Sequence, residues 1–474
     1  MKKYLIVVII CIILAATTLS TYFVFITAEG TQYYVSNDGD DSWNGLYPEY
    51  QGGNDGPWAT IDKVNRFSRR RSQPGDDIYF RRGDSFRDDY LRIRYGGAFG
   101  NDMIIGAYGE GDKPNLERIS CTNNNLENVI IENLDLGPTL ARNIFFIEGR
   151  NLKNFIIRNV DMHDCDVGIQ LRAVDGYQIL NCHVWDGRDN AFTIYGSSEG
   201  DAKNGVIQDC TATRVGEGFT LHASDNTLYN IGSNHVLENC IVTDADGEDG
   251  FDLSSGSEIQ MINCEAHNVP RGLAIGHNVQ HVTIDGYIGT NSESFGIYVG
   301  GCSDVVIKNS IITGSQRDTL RMYGSGNGLY DFEMHNCYLE HPSDAIRSLI
   351  RIGEPGTIED NIYIHDNILI SNRIGHCIQY LGDATPQNTN SNFEYNKWWQ
   401  YNGVTEPFGA IPGIGKITFN DWQSLFPTDS FEEPPPEPET PPPNTPGFEI
   451  LTFFVALAMA FLILTRKKFQ QRIK

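Results

Sequence analysis

Apolar and polar residues alternate with period two through many short, β-branched runs, among them "VIIENLDL", "FIIRNVDM" and "EIQMINCEA". Each run is cut off by Gly, Asn or Asp, and no helical period of useful length intervenes, so short strands and turns are predicted throughout. The runs align with one another. "ILNCHV", "IQDCTA", "LENCIV", "MINCEA" and "MHNCYL" place Cys182, Cys210, Cys240, Cys264 and Cys337 in one slot, each after Asn or Asp. With the copies that lack Cys, the Asn/Asp slot falls at 133, 159, 181, 209, 239, 263, 285, 309, 336 and 366, a step of 22 to 30 residues. A supersecondary unit that repeats at this length, all strand and turn, predicts an all-β, single-stranded parallel β-helix of about ten rungs.

In such a coil, equivalent residues stack at the spacing between strands, about 4.8 Å. The Asn/Asp slot then becomes a side-chain ladder at a turn and the Cys slot a column of small buried thiols. Ten cysteines in a chain that faces outward would ordinarily suggest disulfides, but a column needs none.

The first rung needs a cover, since an open edge recruits other strands. Residues 31–120 are expected to supply an N-terminal cap and first strands, with a short amphipathic helix beginning near Thr60. Their "YYVS…D…G…PWATIDKV…PGDDIYFRRGDSF…IIGAYGEG" resembles the N-terminal region of many secreted right-handed β-helix proteins, polysaccharide lyases among them, and implies that handedness. Rungs are expected over 121–384 and an aromatic-rich C-terminal cap over 385–430.

The ends have a different composition. Lys2 and Lys3 precede "YLIVVIICIILAA", the pattern of a signal peptide or signal anchor over 1–30. A Pro-rich acidic spacer spans 431–446, an apolar segment long enough to cross a bilayer spans 447–465, and a basic tail spans 466–474. Positive charge stays cytoplasmic, so the coil is expected to be extracellular and held at the cell surface. Pro446-Gly447-Phe448, the apolar helix and the basic tail resemble the PGF-type sorting segment of archaeal surface proteins, which implies a sorting peptidase acting there. An ordinary C-terminal anchor gives the same topology.

A net charge of −25, from 61 acids against 36 Lys plus Arg, disfavours nucleic acid as a partner. It would also repel an acidic polysaccharide unless a divalent cation bridged the two.

The acids are not evenly spread. "DADGEDGFDL", Asp244 to Leu253, holds five carboxylates in ten residues. A second slot recurs on another strand: "GIQL" at 168, "AFTI" at 191, "GFTL" at 218, "GFDL" at 250, "GLAI" at 272, "GIYV" at 296 and "TLRM" at 319. The third residue of each faces outward, giving the column Gln170, Thr193, Thr220, Asp252, Ala274, Tyr298, Arg321. The residue before each unit gives Val167, Asn190, Glu217, Asp249, Arg271, Phe295, Asp318. Glu217 and Asp249 therefore share a slot on neighbouring rungs, beside Glu248 and Asp252. A positive φ at Gly250 is expected to bend Asp249 and Asp252 toward one point. Four oxygen donors around one exposed groove suit Ca²⁺, while a solvated acidic turn needs no metal. It is not an EF-hand, since Asp249 and Ser255 stand where Gly and Glu are required.

"EGFTL…NHVLENCIVTDADGEDGFDL" resembles family-nine pectate lyases. The resemblance implies Glu217, Glu248, Asp249 and Asp252 as calcium ligands in a lyase that cleaves an acidic, pectate-like polysaccharide by β-elimination. Ala274 stands where that family carries its lysine base. Arg271, one slot from Asp249, is the candidate to replace it, as catalytic base, as a clamp for the substrate carboxylate, or as the ion-pair partner of Asp249. Arginine bases occur in other β-helix pectate lyases. Asp189, Asn190, His277 and Arg321 are substrate-binding candidates, and His163 and His222 read as isolated surface histidines. Two alternatives stay open: a non-catalytic surface protein that binds glycan or calcium, and a glycoside hydrolase using the carboxylates as acid and base. The Asn-x-Asp, Asp-Asp and Gly-His-Gly set of the polygalacturonases is absent.

Overall fold

The computed structural model describes residues 30–98, 100–223, 232–372, 376–400 and 407–431. The expected signal or anchor, Pro-rich spacer, apolar segment, basic tail and Pro446-Gly447-Phe448 lie outside the described residues, Gly30 and Phe431 apart. Among the described residues no helix is long and apolar enough to cross a membrane.

Each coil is built from three strands, for example Asp249–Ser254, Ser257–Ile262 and Glu265–His267, and each strand pairs in parallel with its equivalent one coil away. The result is a right-handed parallel solenoid of about 12 turns rather than ten. Coiling begins inside the stretch expected only to cap it. Gln32–Val35 pairs in parallel with Asp77–Arg81, which pairs with Met103–Tyr108. The strands there are short and lack the Asn-Cys slot, so the repeat could not be seen in them. The expected helix is present as Ile61–Arg70 (α1); Thr60 Oγ1 accepts from Lys63 N, and Ile61, Val64 and Phe67 are buried.

Inward positions stack like with like. Phe192, Phe219 and Phe251 lie ring on ring at 4.5 and 5.2 Å, nearly parallel and without exposure. Burying each such side chain contributes about 1.5–3 kcal/mol. All nine described cysteines are buried and unpaired. The thiols of Cys182, Cys210, Cys240, Cys264 and Cys337 each donate to the carbonyl two residues earlier, at 3.2–3.5 Å, which satisfies both groups without a disulfide. The residue before each has φ between 49 and 54°. Asn and Asp tolerate that left-handed conformation better than other side chains, and it turns the chain from the second strand into the third. One position is corrected: at 285 the turning residue is Gly286 (φ 79°), and Asp285 ends the strand Gln280–Asp285. The side chains also form the ladder: Asn159 Nδ2 donates to Asn133 Oδ1 at 2.5 Å, and Asn239 Nδ2 to Asp209 Oδ1 at 2.9 Å.

Candidate active site

Six first strands of successive coils carry the groove: β1 (Asn190–Gly196), β2 (Glu217–Ala223), β3 (Asp249–Ser254), β4 (Arg271–Gly276), β5 (Phe295–Gly300) and β6 (Asp318–Tyr323). Their register is continuous. Asn190 stands opposite Glu217, Thr220 opposite Asp252, Asp249 opposite Arg271, Asp252 opposite Ala274, and Ala274 opposite Tyr298. Phe219 pairs with Phe251, so Glu217 and Asp249, two residues before each, share a position on adjacent coils.

Gly250 does not take the positive φ expected of it. Its role is spatial: a Cβ there would stand 2.7 Å from Gly272 O and 2.9 Å from Ala266 Cβ. The chain turns sharply enough at this corner that only glycine fits, and the turn leaves Asp249 and Asp252 lining one groove.

That groove, about 300 Å³, gathers Glu217, Glu248, Asp249, Asp252, Asn190, Arg271 and His277. Asn190 Nδ2 donates to Glu217 Oε2 at 2.5 Å and Thr220 Oγ1 at 2.8 Å. Ser254 Oγ donates to Asp252 Oδ1. Two other candidates lie elsewhere. Asp189 is not in the groove lining; its carboxylate is 3.7 Å from Arg142. Arg321 does face outward in register with Tyr298, but it is 2% exposed, because the next coil covers it with Gly353 O at 3.0 Å and Glu354 at 2.5 Å.

The cation among the acids is a guanidinium. Arg271 donates from Nε to Asp249 Oδ1 at 2.6 Å, from Nη2 to Asp249 Oδ2 at 2.8 Å, and from Nη2 to Glu248 Oε2 at 2.8 Å. Both oxygens of Asp249 are thus engaged. Among the described residues no group of three or more His, Cys, Asp or Glu converges to hold a metal. In this arrangement Asp249 and Glu248 give their oxygens to Arg271 rather than to a common point.

Burial raises the proton affinity of all three inner carboxyls. Asp249 is pushed up by burial and then by Asp252, against the pull of Arg271. Asp252 rises through burial and the charge of Glu217, against the Ser254 hydrogen bond. Glu217 rises through burial and Glu248. Arg271 holds its proton more firmly than a free guanidinium, because the neighbouring carboxylates outweigh its burial.

Residues beyond the sequence candidates complete the site. His222 follows the "GFTL" unit, in the column of Tyr195 and Ser254. Its Nδ1 is buried without a hydrogen-bond partner among the described residues, 3.9 Å from Asp252 Oδ2. Burial and His277 lower its pKa, which favours the neutral imidazole at the groove. Tyr298 closes the other side, its ring 5.8 Å from the Arg271 guanidinium. The outward parity of position 222 was available in the sequence; its burial was not.

A parallel coil with a polar groove across successive first strands defines a class of solenoid in which the scaffold is repeated and the chemistry is local. The chain belongs to the family described as right handed beta helix region, matched at residues 113–231 and 223–406, more than half of its 474 residues. Its fold is similar to that of a mannuronic acid specific polysaccharide family 6 lyase from human gut microbiota, with TM-score 0.55 and 10% identity, over 85% of this chain and 92% of that one. A GH136 lacto-N-biosidase from Eubacterium ramulus aligns over 85% of this chain and 68% of its own, with TM-score 0.36 and 14% identity. A lacto-N-biosidase of Bifidobacterium longum subsp. longum is 35% identical over 88 residues, 18% of this chain, and the chain spans 5% of that protein's length. The likeness to the lyase, at 10% identity, is one of fold.

Proposed function

We propose that the protein cleaves the glycosidic bonds of a polysaccharide laid along the groove over β1–β5, with Asp252 as general acid and Glu217 as its carboxylate partner. The observation that supports this most directly is that carboxyl groups from adjacent coils share one groove with unequal environments. Asp252 holds its proton up to about 7, and the rise at Glu217 is tempered by the Asn190 and Thr220 hydrogen bonds. Two carboxyls driven apart in this way divide into acid and base. Asp252 would protonate the leaving glycosidic oxygen, while Glu217 would accept the proton of the attacking water or attack the anomeric carbon itself. Asp249, hydrogen-bonded by both forks of Arg271, fixes that guanidinium beside the cleavage point. His222 Nδ1 is placed to meet a sugar hydroxyl.

Eliminative cleavage of a pectate-like acidic polymer, with calcium assisting, is a second reading, favoured by Arg271 at the groove. The raised proton affinity of Arg271 suits it to clamp a substrate carboxylate and makes it a poor base.

The test is a polysaccharide panel scored for reducing ends and for ultraviolet absorbance, with and without chelator. Hydrolysis gives reducing ends, no absorbance and no chelator effect. Unsaturated products that vanish with chelator would replace hydrolysis by elimination. Asp252→Asn should lower turnover by roughly 10²–10⁴-fold; undiminished turnover would remove Asp252 from the chemistry.

A further inference from the structure

The outward column that carries Asp252 runs on through Ala274 and Tyr298 to Arg321 and Arg351. Four coils separate Asp252 from Arg351, about 19 Å at ~4.8 Å per coil. Over that distance the face passes from clustered carboxylates to clustered guanidinium groups. Arg347 Nη1 and Arg351 Nη1 each stand 3.7 Å from Asp318 Oδ2, an oxygen of a fully buried carboxylate that accepts no hydrogen bond. Oδ1 of the same group is taken by Ser348 N at 3.1 Å. Arg321 is already spent on Glu354 and Gly353 O. Arg351 Nε is buried and has no hydrogen-bond partner among the described residues. Arg317, beside Asp318 in the chain, is exposed.

Arg321, Arg347 and Arg351 interact here with Asp318 and Glu354, and the buried Glu359 nearby is held at Oε1 by Gly324 N at 2.7 Å. Three guanidinium groups gathered on one face stand out on a chain whose acids outnumber its bases 61 to 36. Repulsion from Arg321 and Arg347 adds to burial in lowering the proton affinity of Arg351. The Arg347 and Arg351 side chains keep 37% and 18% of their surface, so they are reachable from solvent. Two forked guanidinium groups with one shared, imperfectly paired counter-ion suit a planar or tetrahedral oxyanion.

We propose that Arg347 and Arg351, with Asp318 beneath them, form a subsite for an anionic group, carboxylate or sulfate, on a glycan whose scissile bond lies over Asp252. This rests on the glycan-cleaving reading of the acidic groove. A polymer charged at every sugar would set another anion over Glu217 and Asp252, where four carboxylates face one arginine. A sparsely charged glycan suits both ends, with its anion several sugars from the cleavage point. The arginines thereby provide a route by which an acidic protein engages an anionic polymer without a bridging metal.

The experiment uses the Asp252→Asn protein, so that ligand is bound and not consumed, and three hexasaccharides of one backbone: neutral, carrying a single terminal uronate, or carrying a single terminal sulfate. At low salt either charged ligand should bind about tenfold or more tighter than the neutral one, the scale of a hydrogen-bonded ion pair, and added salt should erase the difference. Preference for uronate or for sulfate identifies the group. Adding Arg347→Ala and Arg351→Ala should abolish the preference while neutral binding stays. Arg347→Ala alone, a partly exposed site, should weaken it severalfold if the double change disturbs folding. Equal binding of charged and neutral ligands, or a preference that survives the Arg347 and Arg351 changes, overturns the subsite. Selective binding without turnover in the unmutated protein would sink the cleavage reading and leave the subsite standing.

Discussion

Asp249 illustrates what a folded environment does to one carboxyl. Its side chain keeps 4% of its surface and takes both forks of Arg271. Removing Arg271 strands it, since water reaches the site poorly. Arg271→Ala should therefore cost about 1–3 kcal/mol in a denaturant melt, the lower end if water enters where the partly exposed guanidinium stood. Arg271→Lys should recover little, because an ammonium cannot engage both oxygens in the same plane. An unchanged midpoint in Arg271→Ala would mean that the pair is not formed. The same residues set the pH response. Asp249 and Asp252 are raised from 3.8 to about 8 and about 7, so the folded state binds more protons than the unfolded one. Stability from this pair is full below about pH 4 and is lost as pH climbs through 7 to 8. A melting series should decline across that window, and Asp252→Asn should flatten the decline; a melting temperature that rises from pH 5 to 8 would contradict the raised pair. The slot pattern made these acids legible as neighbours, because parity and repeat together fix which side chains share a face. It did not reveal Arg321 as buried, since depth depends on Gly353 and Glu354, 32 and 33 residues on, nor the partnering of Arg271, which is a matter of rotamer rather than register.

At the level of the strand, the element that makes the groove is a corner rather than a catalytic residue. Gly168, Gly218, Gly250, Gly272 and Gly296 recur because an added Cβ would approach a carbonyl oxygen of the next coil to between 2.3 and 2.8 Å. Gly250→Ala should destabilise by about 1–3 kcal/mol through overpacking and shift Asp249 away from Asp252. The check is a melt combined with the pH series: the midpoint falls and the pH dependence shrinks together. A lower midpoint with full pH dependence would show that the corner moves without carrying the carboxylates. Glycine at the head of five of the seven units was plain in the sequence, but its cause was not. A repeated glycine reads equally as a left-handed turn or a close approach, and the left-handed turns in this coil fall mostly to Asn and Asp, with Gly286 and Gly314 among the exceptions. "SLIRIG" at 348 is a further copy of the same strand, with Arg351 in the outward slot. The longer connection after Tyr323 hid it from the repeat spacing.

A solenoid of this kind has no global core, only neighbours, so its stability is a chain of coil-to-coil terms and its ends decide whether the chain frays. The C-terminal end is closed by a plug of aromatic rings around the helix Phe419–Leu425 (α2), in which Trp398 and Trp422 have no exposure. One carboxylate organises it. Asp429 Oδ2 accepts both indole N–H groups, at 2.8 and 3.0 Å, and Oδ1 accepts the backbone and side-chain N–H of Asn396, at 3.0 and 3.1 Å. The aromatic richness of this segment was visible in the sequence. The carboxylate that joins it was not, because its partners lie 7, 31 and 33 residues away in a region without a repeat. Asp429→Ala leaves two indoles and Asn396 without an acceptor, a loss of about 2–3 kcal/mol if water does not replace it. In a one-dimensional stack that loss stays local. Amide exchange should quicken over residues 392–431, while the coils that carry Asp252 keep their protection and the groove keeps its activity. Uniformly faster exchange would mean that the stack unfolds as a single cooperative unit, and damage near residue 429 would then reach the site.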